Sequence, residues 1–341
     1  MSKIGNFNTQ TDGVYIIAEM SANHNGSLET ALQTIKAAKE SGANAIKLQT
    51  YRADTITLDC KKDDFMIDGG TLWDGKNLYE LYEEAYTPWE WHKELFKYAR
   101  EIGIDIFSSP FDKSAVDFLE KFNPSAYKIA SFEISDYALV RYVASKKRPI
   151  IISTGIALND EIKDVIKICK EEGNEDIILL KCTSEYPAPL TQAQLRTIPT
   201  MKEKFGVEVG FSDHTMGSTA PLVAVTLGAT VIEKHFIIDK SIGGADCEFS
   251  MDAKDFKAMV KAIRECEQLL DGVDDFSQEK SGRRFKRSIY ASKDIKKGEL
   301  LSNENLKSVR PGYGMHPKHL EEVLWTKAKR DYSFGDRFIQ Y

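Results

Sequence analysis

The sequence predicts a (β/α)8 barrel followed by a small, β-rich C-terminal unit. Eight short runs rich in β-branched and aromatic residues recur in the first three-quarters of the chain, near 15–20, 45–51, 104–110, 126–131, 149–155, 177–184, 207–214 and 230–236. Between them lie stretches of helical periodicity, an alternation that builds a parallel sheet. The runs also end in polar residues, as strand tips do when they form the working rim of a barrel. An open, doubly wound sheet usually has fewer strands, and no Gly-x-Gly-x-x-Gly follows the first run to mark a dinucleotide site.

Taken in order, the first run closes on Ile16-Ile17-Ala18-Glu19 and leads through the polar loop Ser21-Ala-Asn-His-Asn-Gly-Ser into a helix from Ser27 to Ser41. After the second run comes an excursion, 52–103, with Thr71-Leu-Trp-Asp-Gly-Lys and then Leu78-Tyr-Glu-Leu-Tyr-Glu-Glu-Ala. It is too long for a plain βα connection, so it either covers a substrate or adds a packing helix and a surface loop. Further helices are expected over Asp112–Phe122, Asp160–Glu172 and Asp252–Leu270, each opening on an aspartate suited to an N-cap. A polar, aperiodic stretch at about 272–288 separates a barrel domain, 1–272, through a linker, 273–287, from a unit at 288–341. That unit has short strand candidates at Ile289-Tyr-Ala, Gly298-Glu-Leu-Leu, Val309-Arg-Pro-Gly-Tyr-Gly and Phe334-Gly-Asp-Arg-Phe. So small a unit is marginal alone and is expected to dock on a barrel, its own or a partner's.

Composition narrows the function classes. With 341 residues, 42% hydrophobic and 29% charged, the chain can bury a full core, and a net charge of −6 disfavours a general grip on nucleic acid or anionic membrane. Any anion must be held locally. Five cysteines without a Cys-x-x-Cys pair argue against a disulfide framework or a structural zinc site and for reduced, cytosolic thiols. The first ten residues carry no apolar signal segment, and no apolar run reaches the roughly 20 residues that span a bilayer.

The strand tips carry the candidate chemistry. They supply Glu19, Lys47 with Gln49, Ser108 with Ser109, Lys128 with Ser131, Ser153 with Thr154, Thr183 with Ser184, Ser212 with His214, and Glu233 with His235. Because side chains alternate along a strand, Lys47 and Gln49 share a face, as do Ser212 and His214, and Glu233 and His235. Lys47 and Lys128, with the hydroxyls of Ser131 and Ser153, suit a phosphate. Either lysine could instead reach from its strand end to solvent. His214 and His235 close consecutive runs, so neighbouring strands bring both imidazoles to one rim, where they could hold a divalent metal. With two imidazoles and no nearby cysteine, open octahedral coordination of Mn²⁺, Mg²⁺ or Co²⁺ fits better than a closed zinc site, and such a metal acts as a Lewis acid. The alternative is two unrelated core histidines. Glu19 and Glu133 are both placed to orient or deprotonate water, and the sequence does not rank them. His24, Cys182 and Cys247 fit loop capping and small apolar packing better than direct chemistry. Lys128 or Lys181 could alternatively serve a Schiff-base aldolase, whereas Lys234 has the opposite parity to His235 and should face a helix.

These motifs closely resemble the sialic acid synthase family: Ile17-Ala-Glu-Met-Ser-Ala-Asn-His-Asn-Gly, Ile46-Lys-Leu-Gln-Thr, Tyr127-Lys-Ile-Ala-Ser-Phe-Glu, Ser153-Thr-Gly, Cys182-Thr-Ser-Glu-Tyr-Pro, Phe211-Ser-Asp-His-Thr and Glu233-Lys-His-Phe. The tail resembles the antifreeze-like (SAF) domain of those enzymes through Arg287-Ser-Ile-Tyr-Ala, Asp294-Ile-Lys-Lys-Gly-Glu and Val309-Arg-Pro-Gly-Tyr-Gly. The resemblance implies a carbon–carbon bond-forming transferase that condenses phosphoenolpyruvate with an acyclic amino-sugar aldehyde and releases phosphate by C–O cleavage. It implies phosphoenolpyruvate on Lys47, Lys128, Ser131 and Ser153, the wider substrate set Gln49, Ser184, Tyr186 and Asp246, and a metal on His214 and His235, Mn²⁺ above Mg²⁺ or Co²⁺. It also implies a domain-swapped homodimer in which Arg310 reaches the sugar in the partner's barrel. Within the family, Glu-Met-Ser-Ala-Asn-His-Asn and Ala-Ser-Phe-Glu look more like the branch that makes pseudaminic acid than the N-acetylneuraminate branch, and Ser184 stands where many of the latter have Asn. A non-catalytic sugar- or ice-binding protein working through its tail is the rival from another class.

Overall fold

A computed structural model of the protein describes residues 3–68, 74–273 and 276–339. The chain divides into two compact units, Met1–Asp271 and Gly272–Tyr341.

In the first unit an antiparallel ribbon, β1 (Lys3–Ile4) and β2 (Phe7–Asn8), precedes eight parallel strands: β3 (Tyr15–Glu19), β4 (Ala45–Thr50), β5 (Asp105–Pro110), β6 (Tyr127–Ile129), β7 (Ile150–Ser153), β8 (Ile177–Cys182), β9 (Glu208–Asp213) and β10 (Val231–Ile237). Each pairs with the next, and β10 pairs back onto β3 with Val231 opposite Tyr15 and His235 opposite Glu19, which closes the barrel. The predicted runs hold, but the strands stop one or more residues short of several predicted ends. The polar tips leave the ladder to form loops, as at Ser131–Glu133, a 3-10 turn just beyond β6.

Strand alternation sorts the core into two layers. Ile16, Ile46, Ile129, Ile152 and Leu179 face the surrounding helices. Tyr15, Ile17, Ala45, Phe107, Ile151, Ile178, Leu180 and Val231 fill the barrel interior together with Ile4 of the ribbon, and Phe7 packs edge-on to Tyr15 at 5.1 Å. The ribbon therefore plugs the N-terminal end, and the same inward parity carries on toward the C-terminal end as Glu19, Lys47, Gln49, Lys128, Ser153, Cys182, Ser212, Glu233 and His235.

The helices α1 (Leu28–Glu40), α2 (Ala53–Ile56), α3 (Leu78–Ala85), α4 (His92–Ile102), α5 (Lys113–Glu120), α6 (Tyr137–Ala144), α7 (Asn159–Glu171), α8 (Thr197–Phe205), α9 (Thr219–Thr226) and α10 (Ala253–Leu270) follow in chain order. Ser27, Asp112 and Asp252 cap α1, α5 and α10 with side-chain oxygens, as expected. Helix α7 differs. It begins one residue before Asp160, which lies in the first turn rather than at the cap, and Glu161 accepts a hydrogen bond from the Leu158 N–H at 2.7 Å. The excursion is also shorter than 52–103, because α4 buries His92, Leu95, Phe96 and Ala99 and is the barrel's own second helix. Of the motif Thr71-Leu-Trp-Asp-Gly-Lys, the first three residues lie outside the described residues.

Lys234 has the parity expected, turned away from the interior. Its Nζ lies 2.5 Å from Asp213 Oδ2 and donates to the Thr215 carbonyl at 2.6 Å, fully buried, so it clamps both flanks of His214.

The short strand β11 (Met251–Asp252) adds to β10 at the end of the first unit. In the second unit β12 (Ser288–Ala291) and β13 (Leu306–Val309) pair antiparallel over a core of Ile289, Ile295, Leu301, Leu306, Tyr332 and Phe338. The candidates near 298–301 and 334–338 are reduced to single bridges, Leu300 to Lys327 and Tyr290 to Arg337, because tight turns interrupt them. Among the described residues no helix is long and apolar enough to cross a membrane.

Lys234→Met keeps the bulk of the side chain but strands Asp213 as a buried charge. A loss of about 3–5 kcal/mol is expected in denaturant unfolding of the first unit, larger than for Asp213→Asn combined with Lys234→Met.

Candidate active site

Register brings the predicted residues together from four sides of the barrel. His235 lies opposite Glu19, Glu19 opposite Lys47, and Glu233 opposite Ser212. The resulting group has two parts: a closed polar floor and a cavity above the strand tips.

The floor is built around four charges. Lys47 Nζ lies 2.6 Å from Glu19 Oε2 and 3.8 Å from Glu233 Oε2, and Lys128 Nζ lies 3.5 Å from Glu233 Oε1. All four side chains are less than a tenth exposed. Burial alone would push the Lys47 ammonium down, but the carboxylates of Glu19 and Glu233 outweigh it and hold its pKa above the ordinary lysine value. Burial raises Glu19, against the pull of Lys47. Burial lowers Lys128, which has only Glu233 close by. Two positive and two negative groups make the floor neutral overall, so it is not the bare cationic cradle the sequence implied.

Beside the charges stand hydroxyls. Ser184 Oγ donates to Ser131 Oγ at 3.0 Å, Ser131 Oγ accepts from the Ile156 N–H at 3.0 Å, and Ser153 Oγ is buried with no hydrogen-bond partner among the described residues. Gly155 makes room here. A Cβ at that position would lie 2.2 Å from Ser184 Oγ and 2.8 Å from Ser131 Oγ, so only glycine keeps this hydroxyl group intact.

The histidines are adjacent, with ring centroids 5.5 Å apart. His214 Nδ1 is 2.7 Å from the Thr183 carbonyl oxygen, which can only accept, so Nδ1 carries a hydrogen; against burial, the neighbouring Cys182 and this carbonyl hold the His214 pKa above the ordinary histidine value. Burial, with His214 next, holds His235 far below the ordinary histidine pKa and therefore neutral, and its Nδ1 is buried without a hydrogen-bond partner among the described residues. The Tyr186 ring lies tilted by 36° against His214 at 4.2 Å and Phe249 meets His235 edge-on at 4.9 Å. Among the described residues no group of three or more His, Cys, Asp or Glu is placed to hold a metal. Two imidazoles, each presenting an unprotonated nitrogen, would fit a divalent cation whose other positions are taken by solvent or substrate oxygen, and they do not make a closed protein cage.

The cavity has a volume of about 410 Å³ and is lined in part by Gln49, Glu133, Tyr186, His235 and Asp246. Gln49 joins it to the floor, donating to Glu19 at 3.0 Å and to Ser21 at 2.9 Å. Asp246 accepts from the Ala22 N–H at 3.3 Å. The structure separates the two carboxylates that the sequence left unranked: Glu133 lines the cavity, whereas Glu19 is held in the floor by Lys47 and does not. Burial pushes Glu133 up to about 7, with Lys128 opposing, and its Oε2 has no hydrogen-bond partner among the described residues.

Other candidates take plainer places. Lys181 alternates with the inward Leu180 and Cys182, and its ammonium donates to the Cys182 carbonyl at 2.7 Å, which removes it as a Schiff-base nucleophile. His24 accepts from the Gly26 N–H, and Cys247 donates to the Lys240 carbonyl. Cys182 does reach the floor, 3.9 Å from His214 Nδ1. Arg310 belongs to the second unit, where it is exposed just beyond β13.

A model of the NeuB family matches residues 34–275. The chain belongs to the NeuB family. A SAF-domain model matches 286–333, within the second unit of this NeuB-family enzyme. It is 56% identical over 340 residues to the pseudaminic acid synthase of Campylobacter jejuni, covering 99% of this chain and 98% of that one. It is 48% identical to the pseudaminic acid synthase of Helicobacter pylori, covering 92% and 93%. The crystal structure of an N-acetylneuraminic acid synthetase from Leptospira borgpetersenii, in complex with citrate, superposes with a TM-score of 0.70 at 31% identity over 80% of this chain and 89% of that one.

Glu233, which the sequence places at a strand tip without a role, is central to the NeuB-family site. Its shared parity with His235 was a usable signal, yet only the barrel's closure shows that it lies between both lysines and accepts from Ser212 Oγ at 3.0 Å.

The Glu133 carboxyl yields a pH test. It titrates near 7 in the folded protein against an ordinary value of 4.5, so between those values the folded state holds a proton the unfolded chain has released. Its contribution to stability is complete below the lower value and is lost as pH rises through the upper one. Thermal midpoints across that window should fall less steeply in Glu133→Gln than in the parent chain; equal slopes would contradict the burial of this carboxyl.

Proposed function

We propose that the protein is a pseudaminic acid synthase: it joins phosphoenolpyruvate to 2,4-diacetamido-2,4,6-trideoxy-altrose with addition of water, giving pseudaminic acid and phosphate. The observation that carries this reading is the junction of a buried lysine-and-hydroxyl floor, suited to a phosphate, with a sugar-sized cavity lined by His235, whose ring lies 5.5 Å from that of His214. The names of the two relatives supply the product.

In this reading Lys47 and Lys128 face the phosphate and carboxylate of phosphoenolpyruvate, and Ser131, Ser153 and Ser184 supply hydrogen bonds around it. Ser153, with no hydrogen-bond partner among the described residues, can donate to it. A divalent cation on His214 and His235, Mn²⁺ or else Mg²⁺ or Co²⁺, would supply Lewis-acid polarisation of the sugar aldehyde. Carbon 3 of the enol attacks that aldehyde carbon, water adds at carbon 2, and the tetrahedral intermediate collapses with cleavage of the bond between carbon 2 and the phosphate oxygen. Glu133, with a pKa near 7 and a bare oxygen, is placed to take the proton from that water. Glu19 acts through Lys47, holding it charged and in position. Gln49, Tyr186 and Asp246 orient the sugar from the cavity wall. We also infer a cytosolic, domain-swapped homodimer in which Arg310 of one chain approaches the sugar bound by another, a reading supported by the SAF-domain match and the five free thiols.

Purified protein incubated with phosphoenolpyruvate, Mn²⁺ and a panel of acetamido sugars should release phosphate and give a product whose mass is that of pseudaminic acid. Chelation with EDTA should abolish the release and any of the three cations restore it; full activity after rigorous metal removal would defeat the proposed site.

Gly155→Ala should raise KM for phosphoenolpyruvate about tenfold or more, equivalent to about 1.4 kcal/mol, with a smaller effect on KM for the sugar. Equal effects on both constants would place the hydroxyl group elsewhere than at the phosphate.

A further inference from the structure

The excursion between β4 and α4 supplies a wall of the cavity that no part of the proposed chemistry uses. Helix α3 places Leu78, Leu81, Tyr82 and Ala85 on one stripe at the i, i+3, i+4, i+7 spacing, with Glu80, Glu83 and Glu84 exposed on the other face. Such a stripe is normally covered by core. Here no residue of α3 is fully buried, and all four stripe residues line the cavity, joined by Ile56 and Ile67 from the same excursion. Tyr82 meets Tyr51, at the end of β4, edge-on at 5.6 Å, which ties the helix to the barrel rim.

The lining thus divides by origin. The charged, imidazole and amide side chains of the lining, Gln49, Glu133, His235 and Asp246, all come from the strand tips and the loops after them, beside aromatic residues such as Phe111, Phe132 and Phe249, whereas five of the six excursion residues are aliphatic. An acyclic sugar that presents its aldehyde carbon to the His235 end must direct its far carbons elsewhere. A hydroxyl sent against the aliphatic wall would lose its water partners without gaining new ones, while a methyl group would not.

Resting on the synthase reading above, we propose that the α3 stripe, centred on Leu81, is a specificity-determining surface that receives the deoxygenated, methyl-bearing end of the sugar and discriminates against sugars hydroxylated there. An apolar wall rejects an added hydroxyl only moderately, so the preference should be about 10- to 100-fold in kcat/KM.

The test pairs N-acetylmannosamine with its 6-deoxy counterpart, each with phosphoenolpyruvate and Mn²⁺, and reads phosphate release. The parent chain should prefer the 6-deoxy sugar. Leu81→Ser should shrink that preference by raising KM for the 6-deoxy sugar, leaving KM for phosphoenolpyruvate unmoved, and Leu81→Met should restore it. Leu78→Thr gives the same reading should Leu81→Ser fail to fold, as judged by its thermal midpoint. A preference that survives both polar substitutions, or a parallel loss with both sugars, would overturn the proposal and leave the stripe as packing. No phosphate release from the parent chain with any acetamido sugar would instead overturn the synthase reading itself.

Discussion

The site depends on the neutral quartet of Glu19, Lys47, Glu233 and Lys128 inside a barrel that is otherwise filled with carbon. A lysine buried singly in such a place would lose its proton, because desolvation favours the uncharged amine. The carboxylates prevent this for Lys47, so the ammonium is present and positioned before any anion arrives. The arrangement also explains how a chain of net charge −6 could accept an anionic ligand. What an incoming anion meets is set by groups a few ångströms away in a poorly screened interior, while surface carboxylates are damped over about 8–10 Å of salt solution.

That quartet in turn needs the barrel to be closed and correctly registered. Glu233 stands on the last barrel strand and Glu19 on the first, so the contact of both with Lys47 exists only because β10 returns to β3. A slip of one residue in β10 would turn Glu233 and His235 toward the helices and bring Lys234 inward. The Lys234–Asp213 clamp works against that slip, since it satisfies the charge of Lys234 on the outer face and fixes the carbonyl just beyond His214. Stability of the outer layer and geometry of the inner one are therefore set by adjacent residues of the same strand.

Much of this was legible in the sequence because period-two alternation is a local property. Inward parity places Lys47 with Gln49 and Glu233 with His235, and it sends Lys234 outward, from the sequence alone. Pairing between distant strands is not local. Nothing near Glu19 in the chain announces that Lys47 will neutralise it, and this pairing is what moves Glu19 from a candidate base to a charge partner. The same limit explains α7, where Asp160 looked like the cap: an acidic first turn is favourable wherever the helix starts, and a Glu161 side chain reaching back to Leu158 let it start one residue earlier. In the excursion, α4 carries a fully buried apolar face and belongs to the barrel, whereas α3 has an equally regular stripe that ends half-exposed. Periodicity identifies an apolar face but not what it faces.

The two parts of the site meet at Gln49, and this has consequences for how they work together. One amide donates both to Glu19, whose other oxygen holds Lys47, and to Ser21 at the start of the loop whose Ala22 N–H binds Asp246. A continuous chain of polar contacts therefore runs from the buried lysines to the wall of the cavity. Bonds linked in this way polarise one another, so the four contacts act as a unit rather than singly. Floor and cavity are thus two ends of one hydrogen-bonded unit, joined through a single amide that no neighbouring side chain among the described residues duplicates in bonding both Glu19 and Ser21.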